Sequence, residues 1–473
     1  MKNTDNDSLD KKDWYIHSTG CSQEDIILNG ARMLIGNGSM GYRGTVDEAS
    51  KEDMTSLIVN GLYDKYGEGW REPVNFPNPL KISLLYDDKK LTVQGNNDIQ
   101  YHTQSLNFKY GLFERKSAWE KKNVSISIAS ERFLSMDETH LLCHSYSICP
   151  DKDCKVTLFS EIDTDVHNVY GPHFRINNTR IEELKDECGI NALKYIIFVE
   201  GNTLECNIPF GIAKLLVCRT STNNVLNGTD SVYINNGGIH IPLSLTGGCK
   251  VECVEYAAVY TGYDIKSCYT DLREECIKSA VECVKKAHEA GYTVNCSLHK
   301  ERWDKIWDDG DVIIKGDPEA QKALRYSLYH LNAIAPRTDR ILSIPARGLS
   351  GQTYKGAVFW DTELFMLPYF LHVEPETAKK LIQYRISTLD GARRKSAHYG
   401  FKGAFYAWES QDTGDDVCSD FNVIDVFTKR KIRTYFKDKQ IHINSAIVYA
   451  ICSYIDTTGD RSILYDGAFE VII

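Results

Sequence analysis

Two tryptophans in this chain each stand beside a carboxylate. Trp360 and Asp361 lie in YKGAVFWDTELFMLPYF (354–370), with Glu363 two residues further on. Trp408 and Glu409 lie in GFKGAFYAWESQDTGDD (400–416), followed by Asp412, Asp415 and Asp416. A sugar has an apolar face of C–H groups and an edge of hydroxyls. An indole covers the face, and a fixed carboxylate accepts charge-assisted hydrogen bonds from two neighbouring hydroxyls. One pair alone has a plain structural reading, with Trp360 in a core and Asp361 as N-cap of a buried helix through LFMLPYFL. Two pairs on successive loops favour a saccharide site. Just upstream, SIPARGLSGQTYKG brings Arg347, Tyr354 and Lys355 into the same loop. Cations there could hold a phosphate or be solvated loop charges. His442 opens the helical run HINSAIVYAI, as a satisfied structural residue or as a further ligand contact.

The elements around these loops change character near residue 270. Before it, KISLLYD, LTVQG, VSISIAS, KVTLFSEI, KYIIFVEG and KVECVEYAAVYTG read as strands. They are short, rich in β-branched and aromatic residues, and many alternate apolar with polar. Their spacing predicts a large β-sandwich over residues 1–269. A helical linker is predicted over 270–316, with Trp303 and Trp307 on one helical face. From 317 helices dominate. Asp317 and Pro318 provide a cap and a first helical residue. ETAKKLIQYRISTLDGARRKSAHYG is a second helical region, broken around Asp390-Gly391, and HINSAIVYAICSYIDTTGD is a third. Helices alternating with motif-bearing loops predict an α/α barrel over 317–473. The fold class is therefore multidomain β + α. The GxGxxG of IGNGSMGYRG (35–44) lacks the helix that a dinucleotide site requires after it, and it is read as a tight glycine turn.

Composition removes several functional classes. The chain has 473 residues and a net charge of -10, with no basic stripe to suit a nucleic acid. No apolar run reaches the ~18 residues of a membrane helix. The polar start MKNTDNDSLDKKDWY has no signal-peptide centre, so a cytoplasmic protein is expected. The 15 cysteines have no zinc-type spacing, which predicts reduced, mostly buried thiols.

Taken together, IGNGSMGYRG, NGLYDKYGEGWREPVNFPNPL, SIPARGLSGQTYKGAVFWDTELFMLPYF, YRISTLDGARRKSAHYGFKGAFYAWES and QIHINSAIVYAICSYIDTTGD resemble glycoside hydrolase family 65. That family contains maltose, kojibiose, nigerose and trehalose phosphorylases and acid trehalases. The resemblance implies an N-terminal β-sandwich, a helical linker and an (α/α)6 barrel. It also implies a glucosyl-holding role for Trp360 and Asp361, and a second pocket wall at Trp408 and Glu409. Ala357 departs from the histidine that many relatives carry before FWDTE, which leaves the disaccharide open. The loop 343–356 looks closer to the kojibiose and trehalose type than to the maltose type.

The implied reaction is inverting phosphorolysis of an α-glucosyl disaccharide to β-glucose 1-phosphate and a sugar. Inorganic phosphate is then the co-substrate and no cofactor is needed. Family members are commonly homodimers. The family's general acid lies in an Asp-Glu-Tyr type motif that the chain does not contain, so a glutamate beyond Ile473 is expected. Apolar or small residues at 463, 464, 467, 468, 471 and 472 form one helical stripe running to the last residue. An incomplete barrel, inactive by itself, is the expectation. A hydrolase of the same fold and a non-catalytic carbohydrate-binding remnant are the alternatives.

Overall fold

The computed structural model describes residues 13–95, 98–184, 192–220, 232–235, 237–266, 271–421 and 423–473. The polar N-terminal dozen and the expected boundary at 269/270 lie outside the described residues.

Nine antiparallel strands form the larger sheet, in the spatial order Tyr15–Ser18, Ile99–Asn107, Leu112–Lys121, Val124–Leu134, Leu141–Pro150, Val251–Thr261, Pro209–Thr220, Leu193–Thr203 and Phe174–Glu183. A five-stranded sheet centred on Cys154–Asp163 and a four-stranded sheet from Ile35 to Asn75 share its core. The alternation anticipated from sequence is what builds two layers. Along Leu141–Pro150, Leu142, Tyr146 and Ile148 enter the core between sheets, while Leu141 and Cys143 enter a second core on the opposite face.

LTVQG is not a strand. Leu91 and Val93 are buried, yet this stretch has no ladder. The Thr92 carbonyl instead accepts the Trp119 indole N–H at 2.9 Å. Apolar alternation here fills a core from a loop.

A row of buried charges ties the sheets together. Arg115 and Arg132 contact Asp47 at 3.0 and 3.2 Å, and His144 sits between Asp47 and Glu255 at 3.3 and 2.8 Å. Glu255 also meets Lys214 at 3.0 Å and accepts from Ser160 of the five-stranded sheet at 2.7 Å. Every charge in the row has a partner, as burial demands.

A first helix, α1, spans Gln23–Arg32. The region expected to be a linker holds α2 (Leu272–Ala290) and α3 (Tyr292–Gly310). They pack on the outer face of the nine-stranded sheet through Ile277, Ala280, Val284 and Cys296. The stretch expected to be a helical linker also covers that sheet. Trp303 and Trp307 stack, with centroids 6.1 Å apart, and are buried in the main core.

Beyond it, Asp317 caps α4 (Pro318–Ile334) by accepting from Glu319 N and Ala320 N. Then follow α5 (Leu367–Val373), α6 (Pro375–Ser387), α7 (Leu389–His398) and α8 (His442–Thr458). They enclose a separate core that includes Phe370, Leu381, Ile447 and Ile451.

Two details differ from expectation. The break between α6 and α7 falls at Thr388, whose hydroxyl donates back to the Tyr384 carbonyl at 3.0 Å. Gly391 lies inside α7, and a Cβ there would stand 2.2 Å from the Gly414 backbone. The stripe at 463–472 is kinked at Gly467, φ +116, so it is not one straight helix. Among the described residues no helix is long and apolar enough to cross a membrane.

The glycine turn is a hairpin, Ile35–Gly36 pairing with Met40–Tyr42. It does more than reverse the chain. Gly38 has φ +82, and a Cβ there would lie 2.0 Å from the Ala335 carbonyl oxygen. A Cβ on Gly36 would meet Ala333 O at 2.6 Å, and one on Gly41 would meet Leu349 Cβ at 2.3 Å. Gly38 N donates to Ala333 O at 2.9 Å. These glycines let the sandwich backbone touch the segment that leaves α4, close to the tryptophan loops.

Two outcomes are expected. Gly38→Ala combines a left-handed backbone with a clash, and should lower the unfolding free energy by about 2 kcal/mol or more in urea titration. His140 is stacked on Tyr260 and bonded to Glu138 and Asp264. Burial pulls its imidazolium down, but the two carboxylates more than offset this and carry it up to about 9. Its stabilisation is complete below the ordinary histidine range and is lost as pH rises through about 9. The stability advantage of wild type over His140→Gln should therefore shrink by roughly 2 kcal/mol between pH 6 and pH 10.

Candidate functional site

Val358 and Ser410 exchange two backbone hydrogen bonds, at 2.8 and 3.1 Å, so the loops bearing the two tryptophan–carboxylate pairs are zipped side by side. The zipper stands on α6. Arg385, fully buried, forms a bidentate pair with Glu363, both bonds 2.8 Å, and donates to the Phe359 carbonyl at 3.1 Å. Tyr384 OH donates to the Gln411 carbonyl and is hydrogen-bonded with Ser410 Oγ, each at 2.9 Å. Tyr406 OH returns to the Arg385 carbonyl at 3.0 Å. Adjacent residues of one helical turn therefore hold both loops.

Within this frame three of the expected residues converge. The Trp360 ring meets His442 edge to face at 4.8 Å, and His442 lies 6.4 Å from Trp408. Phe359 lies 5.6 Å from Trp408 and 6.0 Å from Tyr354. Phe436 stacks on Trp408 at 5.4 Å. Tyr354 itself is exposed and touches the cluster through Phe359.

The acids divide sharply. Glu363 is consumed by Arg385. Asp412 forms a bidentate pair with Arg71 of the sandwich, one bond at 3.0 Å. Asp415 holds Arg394 at 2.8 Å. Asp416 accepts from Trp408 N, Glu409 N and Cys418 N at 2.8, 3.2 and 3.1 Å and pairs with Lys395 at 2.7 Å. It fixes the second loop from beneath. Glu409 is buried with Lys355 Nζ 2.6 Å away; burial pushes its carboxyl above the ordinary carboxylate range, and Lys355 pulls it only part of the way back. Asp361 is the exception. It is half-buried, starts the π-helical turn Thr362–Met366, and has neither a side-chain cap bond nor a charge partner among the described residues. It is therefore not the N-cap of the structural reading. Nor is LFMLPYFL wholly buried, since Phe365 is 68% exposed and touches Trp360.

Two expectations need correction. Lys355 is not free to hold phosphate. Its ammonium is taken by Glu409, by the Val417 carbonyl at 2.7 Å and by the Trp70 ring at 5.2 Å. Arg347 does not join the cluster. It is exposed at the seam, where burial and then its like charge lower the Arg43 guanidinium to about 10.

Several residues of the site had no local signal. Arg385 and Tyr384 sit in an ordinary helical run, and Trp70 and Arg71 lie nearly three hundred residues upstream. Lys355, by contrast, is named from its loop in the sequence, and its backbone marks it as well. Tyr354, Lys355 and Gly356 all have left-handed backbones, with φ 57, 56 and 58. Consecutive non-glycine residues in that region are costly and mark a held turn.

Removing Glu363 leaves Arg385 charged and buried, so Glu363→Ala should cost about 3–5 kcal/mol of unfolding free energy. Asp361→Asn removes no partner and should stay within about 0.5 kcal/mol in the same chemical denaturation.

Residues 16–306 match the N-terminal domain model of glycosyl hydrolase family 65, and residues 325–473 match the family's central catalytic domain model. The chain is 42% identical to a nigerose phosphorylase of Lachnoclostridium phytofermentans, over 97% of this chain and 61% of that protein. It is 32% identical to a 1,2-alpha-glucosylglycerol phosphorylase of Bacillus selenitireducens, over 97% and 57%. A kojibiose phosphorylase of Halothermothrix orenii is 29% identical, over 98% and 58%. The chain thus spans about three fifths of the length of these relatives. A solved structure of a human-microbiome protein superposes with a TM-score of 0.77 at 20% identity, over 97% of this chain and 58% of that one.

Proposed function

The chain belongs to glycosyl hydrolase family 65, and from that premise we propose that it serves the inverting phosphorolysis of an α-glucosyl disaccharide. The observation that carries the reading is Asp361. A half-buried carboxylate is left without a partner, beside an indole, in a site whose other acids are neutralised. A half-buried carboxylate with no protein partner among the described residues is open to accept charge-assisted bonds from two sugar hydroxyls.

In this reading Trp360 covers the C–H face of the glucosyl ring and Asp361 accepts from its hydroxyls. Trp408 and His442 close the other sides, and Glu409, buried against Lys355, belongs to the wall that Trp408 forms. A phosphate oxygen attacks C1 from the face opposite the glycosidic bond. The C1–O bond breaks, and the departing oxygen takes a proton from a carboxylic acid. The products are β-glucose 1-phosphate and the free second sugar. Phosphate is already a nucleophile, so the reaction needs no strong base. The helices α4–α8 belong, in this reading, to an (α/α)6 barrel. The 42% identity to a nigerose phosphorylase makes nigerose the first substrate to try, ahead of kojibiose, maltose and trehalose.

The test offers each disaccharide with and without inorganic phosphate. β-Glucose 1-phosphate should form only with phosphate, and Asp361→Asn should lower kcat/KM by about a hundredfold or more, as loss of a charge-assisted contact implies. Two free sugars released at equal rates without phosphate would make the protein a hydrolase. Saturable sugar binding with no turnover, also in a longer chain that carries the general acid, would leave it a binding protein.

A further inference from the structure

One tryptophan of the sandwich has the placement of a ligand-facing residue without a core to explain it. Trp70 lies in the loop DKYGEGWREP (64–73). That loop is fastened to the tryptophan loops at several points. Tyr63 OH donates to Gly356 O at 2.7 Å, Gln352 Nε2 to Pro73 O at 2.8 Å, and Gln411 Nε2 to both Arg71 O and Lys355 O, at 3.0 and 2.7 Å. Arg71 pairs with Asp412. A Cβ on Gly356 would meet Pro73 Cγ at 2.2 Å, so the left-handed turn and the loop are moulded to each other.

Trp70 is nevertheless 40% exposed. Its ring touches Tyr170 edge to face at 4.8 Å, and the Lys355 ammonium at 5.2 Å. Tyr170 is itself exposed. The same ammonium stands 2.6 Å from Glu409. Backbone fastenings on both sides fix the position of the indole, a cation orients it from one side, and much of its surface remains in solvent. Large exposed aromatics in fixed positions are characteristic of recognition surfaces.

We propose that Trp70, braced by Tyr170 and Lys355, is the stacking wall for the second sugar of the disaccharide, the one that leaves. The inference rests on the reading of Trp360 and Asp361 as the clamp for the first sugar. Glu409 and Lys355 link the two walls: Glu409 follows Trp408 of the clamp, and Lys355 lies between Glu409 and Trp70. The sandwich thereby contributes to the choice of acceptor sugar, while the helical region holds glucose. A linkage that turns the second ring away from Trp70 loses that contact.

Calorimetric titration with glucose and with nigerose and kojibiose separates the two ideas. Trp70→Ala should leave glucose affinity within about twofold and weaken the preferred disaccharide about tenfold, the effect of losing one stacked ring. Trp70→Phe should recover most of that loss, which a merely structural role would not predict. Equal weakening for glucose and disaccharide, or no weakening of either, overturns the proposal. Asp361→Asn should abolish glucose binding; if it does not, the clamp reading fails whatever Trp70 does. A chain that binds neither glucose nor disaccharide overturns both.

Discussion

The site depends on one buried ion pair. Arg385 reaches from α6 into a fully enclosed space, where Glu363 neutralises it and the Phe359 carbonyl takes a further N–H. Such a pair contributes little net stability against an apolar substitute, but breaking it leaves a charge in a dry interior. Its value is positional. With Tyr384 beside it, one helical turn fixes the backbone on both sides of the Val358–Ser410 bridge. Trp360, Trp408 and Asp361 are then placed by the backbone that carries them.

That arrangement explains how the carboxylates are used. Acids cluster in the second loop, yet Asp412, Asp415 and Asp416 are all committed to cations or backbone N–H groups. They are scaffolding. Glu409 is intermediate, shared with a lysine in a low-dielectric site. Asp361, by contrast, has neither a cap bond nor a charge partner among the described residues. Proximity in sequence groups these residues together, and partner geometry separates them.

The sandwich is more than an appendage. Its glycine hairpin lets its backbone approach 333–349 at distances no side chain could tolerate, and its 64–73 loop is fastened to the left-handed turn at Tyr354–Gly356. The two regions meet where the tryptophan loops are. A shift of one against the other would move the walls of the site, so the seam is a constraint on binding as much as on folding.

The sequence by itself determined the division into a strand-rich and a helix-rich region, because periods of two and of 3.6 apolar residues are local properties. It also determined the tryptophan–carboxylate pairs, since residue type and adjacency suffice to name them, and the family, through ordered motifs. It misread LTVQG, since an apolar loop and a buried strand have the same pattern, and it placed the α6–α7 break two residues late. Only the tertiary structure decided which acids are free, because neutralisation depends on partners such as Arg71, Lys395 and Arg385 that are distant in the chain or lie on another element. It alone removed Lys355 from phosphate and Arg347 from the cluster. And it alone brought Trp70 to Lys355, a contact across almost three hundred residues that is set by how two cores pack and that no local pattern encodes.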